Sequence, residues 1–121
     1  MPFVNVLYNP KTVPKSELDI IARELRHAVA MFISEADPKK KFLEDEVTVR
    51  CEEMGKHDLC AVDMAIVVWT NHSLARRDRL KETARKISVD ISRTAGMPGM
   101  SNYVYLRLAE AGFCGSSVPR P

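Results

Sequence analysis

The sequence has no long apolar segment, and this absence limits where the protein can reside. Its uncharged apolar runs, such as AIVVW at 65–69, are far shorter than the ~20 residues that a membrane-spanning helix needs. No apolar stretch followed by a cleavage site stands at the N-terminus, so the sequence shows no secretory signal. Together these absences favour a cytoplasmic protein with no membrane partner.

Cysteine, histidine and one-sided charge are also scarce. The three cysteines, Cys51, Cys60 and Cys114, are odd in number and form no C-x-x-C pair, so neither a disulfide framework nor a zinc site is expected. Only three histidines accompany them, which argues against any metal centre. The net charge of +2 is too small to indicate nucleic acid, and the basic runs at 39–41 and 76–79 are short. Neither run is interleaved with the aromatic residues that nucleic-acid binders use.

The apolar periodicity predicts four strands and two helices. Alternating or continuous apolar runs predict strands at 3–8, 47–54, 64–70 and 103–108. Helical spacing predicts a first helix that is capped by Ser16 with Asp19 and extends to about Ile33. A second helix is expected to begin at Asn71 or Ser73, with an apolar stripe that ends at Ile91.

The order of these elements, β-α-β followed by β-α-β, predicts an α+β domain. We expect residues 1–115 to form one domain, since domains cluster near ~100–150 residues, and 116–121 to form a flexible tail. Two β-α-β units would give a four-stranded sheet with two helices on one face. The ferredoxin-like fold and the tautomerase fold share this order.

The opening MPFVNVLYNP places a proline directly after the initiator methionine. A strand tolerates proline at its first position, which is one explanation of Pro2. Removal of Met1 would instead make Pro2 a secondary amine at the chain terminus. Apolar walls or a second cation would lower the pKa of that amine, and a neutral amine could act as a general base.

Three stretches together resemble the tautomerase superfamily, which contains macrophage migration inhibitory factor and the carboxymethyl-hydroxymuconate isomerases. They are the MPFVNV start, the NPKTVP segment after it, and GKHDLCAVDMAIVVWTNHSLARRDRL. The resemblance covers the chain to about Leu108. It implies the tautomerase fold, a homotrimer, and Pro2 as the catalytic base. It also implies keto–enol tautomerisation or double-bond migration in small keto or 2-hydroxy acids, with no metal or organic cofactor.

Four further residues are candidates for binding the carboxylate of such a substrate. Arginine suits this role because its planar fork binds a carboxylate bidentately. Arg77 falls where the isomerase branch has its helix-start arginine, and Arg50 lies in the strand where that branch also carries one. Tyr105 lines up with an active-site tyrosine of the cytokine branch, and Arg107 is expected to share its face. Each could equally be a solvated or packing residue.

Three functions remain open from the sequence. The first is a cofactor-free tautomerase in which Pro2 moves a proton on an unsaturated keto acid. The second is a hydratase or dehalogenase of the same superfamily, with Glu52 or Glu53 positioning a water. The third is a non-catalytic oligomeric binding module of tautomerase or ferredoxin-like fold, which retention of Met1 would favour.

Overall fold

The structure is a computed structural model that describes residues 2–59, 61–94 and 99–109. Its strands are β1 (Phe3–Tyr8), β2 (Thr48–Glu53), β3 (Met64–Asn71) and β4 (Asn102–Ala109), and its helices are α1 (Leu18–Ala36), α2 (Leu74–Asp78) and α3 (Leu80–Ser92). Short 3-10 turns at Lys15–Glu17 and Glu44–Glu46 precede α1 and β2. The predicted domain end at 115 and the tail at 116–121 lie outside the described residues.

The four strands form one sheet in the order β2-β1-β3-β4. β1 pairs with β2 and β3 pairs with β4 in parallel, while the central pair, β1 with β3, is antiparallel. In the ferredoxin-like fold another strand separates the two parallel strands of each β-α-β unit. Here those strands are direct neighbours, so the ferredoxin-like alternative is excluded. The predicted α+β fold, with two β-α-β units in one four-stranded sheet, is confirmed.

One face of the sheet carries the core. Val4, Val6 and Tyr8 of β1 are buried, because side chains alternate between the two faces of a strand. The apolar stripes of α1 and α3 pack on this face, with Ile21 and Ile87 fully buried. The stripes that the sequence predicted are therefore the ones that enclose the core.

The opposite face of the sheet, which we call the open face, has no cover within the described ranges. Its exposed aromatic side chains are Phe3, Trp69, Tyr103 and Tyr105.

The predicted start of the first helix is wrong. A 3-10 turn intervenes, in which the Glu17 backbone N–H donates to the Pro14 carbonyl at 3.0 Å. α1 then begins at Leu18 with no side-chain cap, so Ser16 and Asp19 form no capping box. The Leu18 backbone N–H, which a Ser16 cap could have satisfied, instead donates to the Lys15 carbonyl of the turn.

The second helix is two helices. Ser73 is its cap, since its hydroxyl accepts a hydrogen bond from the Arg76 backbone N–H at 3.1 Å, while Asn71 still belongs to β3. The helix breaks at Arg79, whose φ of −113° and ψ of 16° are not helical. No helix in the described ranges is long and apolar enough to cross a bilayer.

Candidate active site

Pro2 lies buried at the start of β1. Its carbonyl accepts a hydrogen bond from the Thr48 backbone N–H at 3.1 Å, which joins it to the start of β2. A proline can stand here because the first residue of a strand need not donate to the ladder. Pro2 is therefore a fixed part of the sheet edge.

The strand directions bring the ends of all four strands to this same edge. β1 and β2 begin here, and β3 and β4 end here, because β3 runs antiparallel to β1. We call it the Pro2 edge. The His72 backbone N–H donates to the Ala109 carbonyl at 3.0 Å and ties the end of β3 to the end of β4. Since α2 follows β3 directly, its first turn also begins at the Pro2 edge.

A buried hydroxyl stands opposite Pro2. The register pairs Phe3 with Trp69, so one step back places Pro2 across from Thr70. Thr70 is 3% exposed, and its Oγ1 has no hydrogen-bond partner. Leaving a buried hydroxyl unpaired costs about 1–3 kcal/mol. The Pro2 edge thus holds a polar atom that is free to accept or donate a further hydrogen bond.

The open face carries three of the four predicted substrate-binding residues. Tyr105 and Arg107 pair with Val67 and Trp69 of β3 and share the open face, as the sequence predicted. Arg50 pairs with Asn5 and lies on the same face, at the far side of the sheet.

Arg50 and Tyr105 do not meet within one chain. They occupy one row across the sheet but lie on its two outer strands. Three strand spacings of about 4.8 Å separate them by roughly 14 Å. Arg107 lies one row nearer the Pro2 edge, and its guanidinium lies 4.6 Å from the centre of the Trp69 ring. The Trp69 face holds this cation on the open side of the sheet.

Arg77 points to solvent instead of into the sheet. Its side chain is 62% exposed, and its nearest acidic partner is the adjacent Asp78 at 3.8 Å. The neighbouring Arg76 is the buried member of the pair, at 2% exposure. The sequence did contain this signal, because Arg76, Leu80, Ala84 and Ile87 are three or four residues apart and so continue the core stripe.

The comparisons with known proteins concern the fold. No protein-family profile and no curated protein matches the sequence. Solved structures do match. A macrophage migration inhibitory factor-like protein from Entamoeba histolytica shares 11% identity at a TM-score of 0.62, with 95% of this chain and 96% of that chain covered.

Two further solved structures match at comparable TM-scores and coverage. Pt0534, solved after inactivation by 2-oxo-3-pentynoate, is 18% identical at a TM-score of 0.59, covering 93% of this chain and 92% of that one. F6, a fused 4-OT that forms an asymmetric trimer, is 14% identical at a TM-score of 0.64, covering 95% and 94%. These are members of the tautomerase superfamily.

The chain has the tautomerase fold.

Other structures with this fold that match the chain include a member of the cis-3-chloroacrylic acid dehalogenase family and a malonate semialdehyde decarboxylase. The tautomerase fold thus hosts several reactions at these low identities.

Arg76 holds the Pro2 edge of this tautomerase fold together. Its guanidinium donates to the Asn71 carbonyl at 3.1 Å and to the Lys40 carbonyl at 2.7 Å, and it lies 4.9 Å from the centre of the Phe42 ring. Burial lowers the pKa of Arg76, and the charge of Asp37 opposes that shift. Arg76 therefore links Lys40, in the segment before β2, to Asn71 at the end of β3.

Asp37 supplies the negative charge that compensates Arg76. A hydrogen bond from the Ser73 side chain, one from the Lys39 backbone N–H and the charge of Arg76 lower the pKa of Asp37. The carboxylate is buried and stays ionised, so the cation of Arg76 is balanced locally. Within the described ranges no group of three His, Cys, Asp or Glu side chains could hold a metal ion.

Proposed function

We propose that, after removal of Met1, this chain is a cofactor-free tautomerase that acts on a small unsaturated keto or 2-hydroxy carboxylic acid, with Pro2 as the general base. The observation that supports the proposal most directly is the place of Pro2. It is buried directly before the first residue of β1, at the edge where Thr70 offers an unpaired hydroxyl.

The surroundings of Pro2 favour a neutral amine. A free α-amino group has a pKa of about 7.7–8.0, and a proline amine is more basic. Burial penalises the charged ammonium, and a second cation repels it, so both lower the pKa. Arg107 on the open face supplies such a cation at this edge, whereas the charge of Arg76 is balanced by Asp37. Pro2 would then be unprotonated near neutral pH.

The proposed reaction moves one proton and needs no cofactor. The neutral Pro2 nitrogen removes a proton from the carbon next to the substrate carbonyl. The electron pair of that C–H bond moves toward the carbonyl oxygen and forms an enolate. The protonated amine then returns the proton at another carbon or at the oxygen, which restores the free base. The cationic side chains stabilise the negative charge that develops on oxygen.

We propose that arginine side chains bind the substrate carboxylate and that the chain assembles as a homotrimer. Arg50, Arg77 and Arg107 are the proposed carboxylate ligands, and Tyr105 is proposed to donate a hydrogen bond. Because Arg50 and Tyr105 lie apart within one chain, a complete site would use the open face of a second chain. A trimer that buries the exposed aromatics of the open face would supply it, and the fused 4-OT of the comparison is a trimer. A cytoplasmic location remains a prediction.

The hydratase or dehalogenase alternative is less well supported within one chain. It needs a carboxylate that activates a water beside Pro2. Glu52 pairs with Leu7, five residues along β1 from Pro2, which is about 17 Å at 3.3–3.4 Å per residue. Glu53 is one step farther. The dehalogenase relative keeps this reaction as the second candidate.

The test is ketonisation of an enol-pyruvate, followed by its ultraviolet absorbance. The protein is first shown by intact mass to lack Met1. Pro2→Ala should lower the rate by about 10²–10⁴-fold, the usual contribution of a general base.

The matched control inserts one alanine before Pro2. This chain keeps the proline but converts its nitrogen into a tertiary amide, so we expect the same loss of rate. Lys81→Ala, an exposed change on α3, should leave the rate unaltered. Full activity in the alanine-inserted chain would overturn the proposal. No activity in processed wild-type protein, toward either keto acids or haloacrylates, would favour the binding module.

A further inference from the structure

A second concave site lies on the helix side of the fold. It is a groove of about 580 Å³ between α1 and the segment 38–44, and we call it the α1 groove. Its volume falls within the ~300–1,000 Å³ of small-molecule sites. Pro2 is not among the residues that line it. The proposed catalytic chemistry therefore leaves the α1 groove unexplained.

The floor and walls of the α1 groove are apolar. Ala30, Phe42, Met31 and Leu43 line it, and of these Ala30 is buried and Phe42 half-buried. Met31 is 41% exposed and Leu43 is 69% exposed, although both are large apolar side chains. Grouped apolar exposure around a concave surface is typical of a binding site.

Hydrogen bonds fix the position of the segment 38–44, which forms one side of the groove. The Phe42 backbone N–H donates to Ser34 Oγ at 2.8 Å, and Ser34 donates back to the Phe42 carbonyl at 3.3 Å. Arg76 binds the Lys40 carbonyl, and the Leu43 backbone N–H donates to Glu46 Oε2 at 2.8 Å. A ligand would meet a wall that is already ordered, which lowers the entropy cost of binding.

Among the charged side chains that line the groove, one cation is not engaged in an ion pair within the described residues. Glu44 is paired with His27, and Glu35 is paired with Lys86 at 2.5 Å, so both carboxylates that line the groove are engaged. Lys41 lines the groove and has no ion-pair partner within the described ranges. It belongs to the run of three lysines at 39–41, directly before Phe42 and Leu43. The cation Lys41 is thus adjacent to the apolar lining residues Phe42 and Leu43.

We propose that the α1 groove binds an amphipathic monoanion, a carboxylate with an unbranched apolar tail. The carboxylate would lie at Lys41, and the tail would extend along Met31 and Leu43. The charge of Lys41 matches an anionic head, and the free apolar walls match the tail.

The probe is octanoate, with binding measured by calorimetry and by the NMR shift of the Met31 methyl group. Lys41→Glu should weaken octanoate binding by about fivefold or more, since it removes an exposed ion pair and adds repulsion. Leu43→Ser should weaken it by about tenfold, because the tail loses an apolar wall. Both side chains are exposed, so neither change disturbs the core.

Matched controls separate this site from general effects. Lys81→Glu reverses a charge elsewhere on the surface, and Leu74→Ser removes an exposed leucine of α2. Both should bind octanoate as the wild type does. Acetate, which lacks the tail, and octyltrimethylammonium, which reverses the head charge, should both fail to bind.

Three results would overturn the proposal. Equal octanoate affinity in Lys41→Glu, Leu43→Ser and wild type would place the ligand elsewhere. Loss of octanoate binding in Pro2→Ala would place it at the Pro2 edge. Binding to anionic phospholipid vesicles without binding to monomeric octanoate would make the lysine run and Leu43 a membrane contact.

Discussion

Replacement of Arg76 by alanine tests the buried anchor of the Pro2 edge. Arg76 donates to two main-chain carbonyls, those of Asn71 and Lys40, from a site that is 2% exposed. Two hydrogen bonds from a charged donor contribute about 1.5–3 kcal/mol each. Removal of one partner from a buried charged group typically costs about 3–5 kcal/mol, and we expect a loss of that size.

Urea unfolding at a fixed protein concentration measures this loss. With a denaturant dependence of about 2 kcal/mol per M, the midpoint of Arg76→Ala should fall by roughly 2 M. Arg76→Lys should recover only part of the loss, because an ammonium lacks the planar fork that reaches both carbonyls and stacks on Phe42. Fixed concentration matters because any assembly would make stability depend on it.

Arg77→Ala is the matched control. Its side chain is 62% exposed, and among the residues that the structure describes its only acidic contact is the neighbouring Asp78 at 3.8 Å, so the change should cost at most about 1 kcal/mol. Equal midpoints for Arg76→Ala and Arg77→Ala would refute the reasoning, since they would show that the buried guanidinium contributes no more than a surface one.

Three further predictions rest on other parts of the molecule. Hydrogen bonds from the Ser101 backbone and from neighbouring hydroxyl groups lower the pKa of Asp63, so its contribution to stability is complete above the ordinary value of 3.8 and is lost as the pH falls through the lowered pKa. Asp63→Asn should reduce this acid sensitivity in thermal unfolding and cost about 1–2 kcal/mol at neutral pH. The hydrogen bond with Glu44 raises the pKa of His27, so that pair contributes fully below pH 6.5 and its contribution is lost as the pH rises through the raised pKa. Glu44→Gln should flatten that part of the stability profile, and an unchanged profile would contradict the pairing. For the proposed trimer, Trp69→Asp on the open face should shift the mass measured by light scattering to that of a single chain, because a carboxylate in the proposed apolar interface would be costly.

Local patterns were sufficient to predict most of the fold. The apolar runs placed the strands and the helical spacing placed the apolar stripes of the helices, because each pattern depends only on the geometry of its own element. The start of α1 was missed because the turn after Pro14 took the place of a Ser16 cap. Strand pairing could not be read from the sequence, since it depends on contacts between distant segments.

The candidate site was less predictable, for physical reasons. Pro2, Tyr105 and Arg107 could be placed by strand position, but the roughly 14 Å between Arg50 and Tyr105 follows only from the order of strands in the sheet. Arg76 was passed over because a charged residue on a helix is normally exposed. Its burial depends on the Lys40 carbonyl, thirty-six residues away in the sequence.

Mass spectrometry of the N-terminal peptide after treatment with 2-oxo-3-pentynoate tests the central claim most directly. At about pH 7 ordinary lysine amines are protonated and unreactive, whereas a proline amine of lowered pKa is free. Its nitrogen adds to the alkyne carbon remote from the ketone, and its proton moves to the adjacent carbon, so the whole reagent is retained. We predict a peptide that begins at Pro2, carries one reagent per chain, and accumulates as ketonisation activity is lost. A peptide that begins at Met1, or an unmodified Pro2 peptide from inactivated protein, would contradict the account.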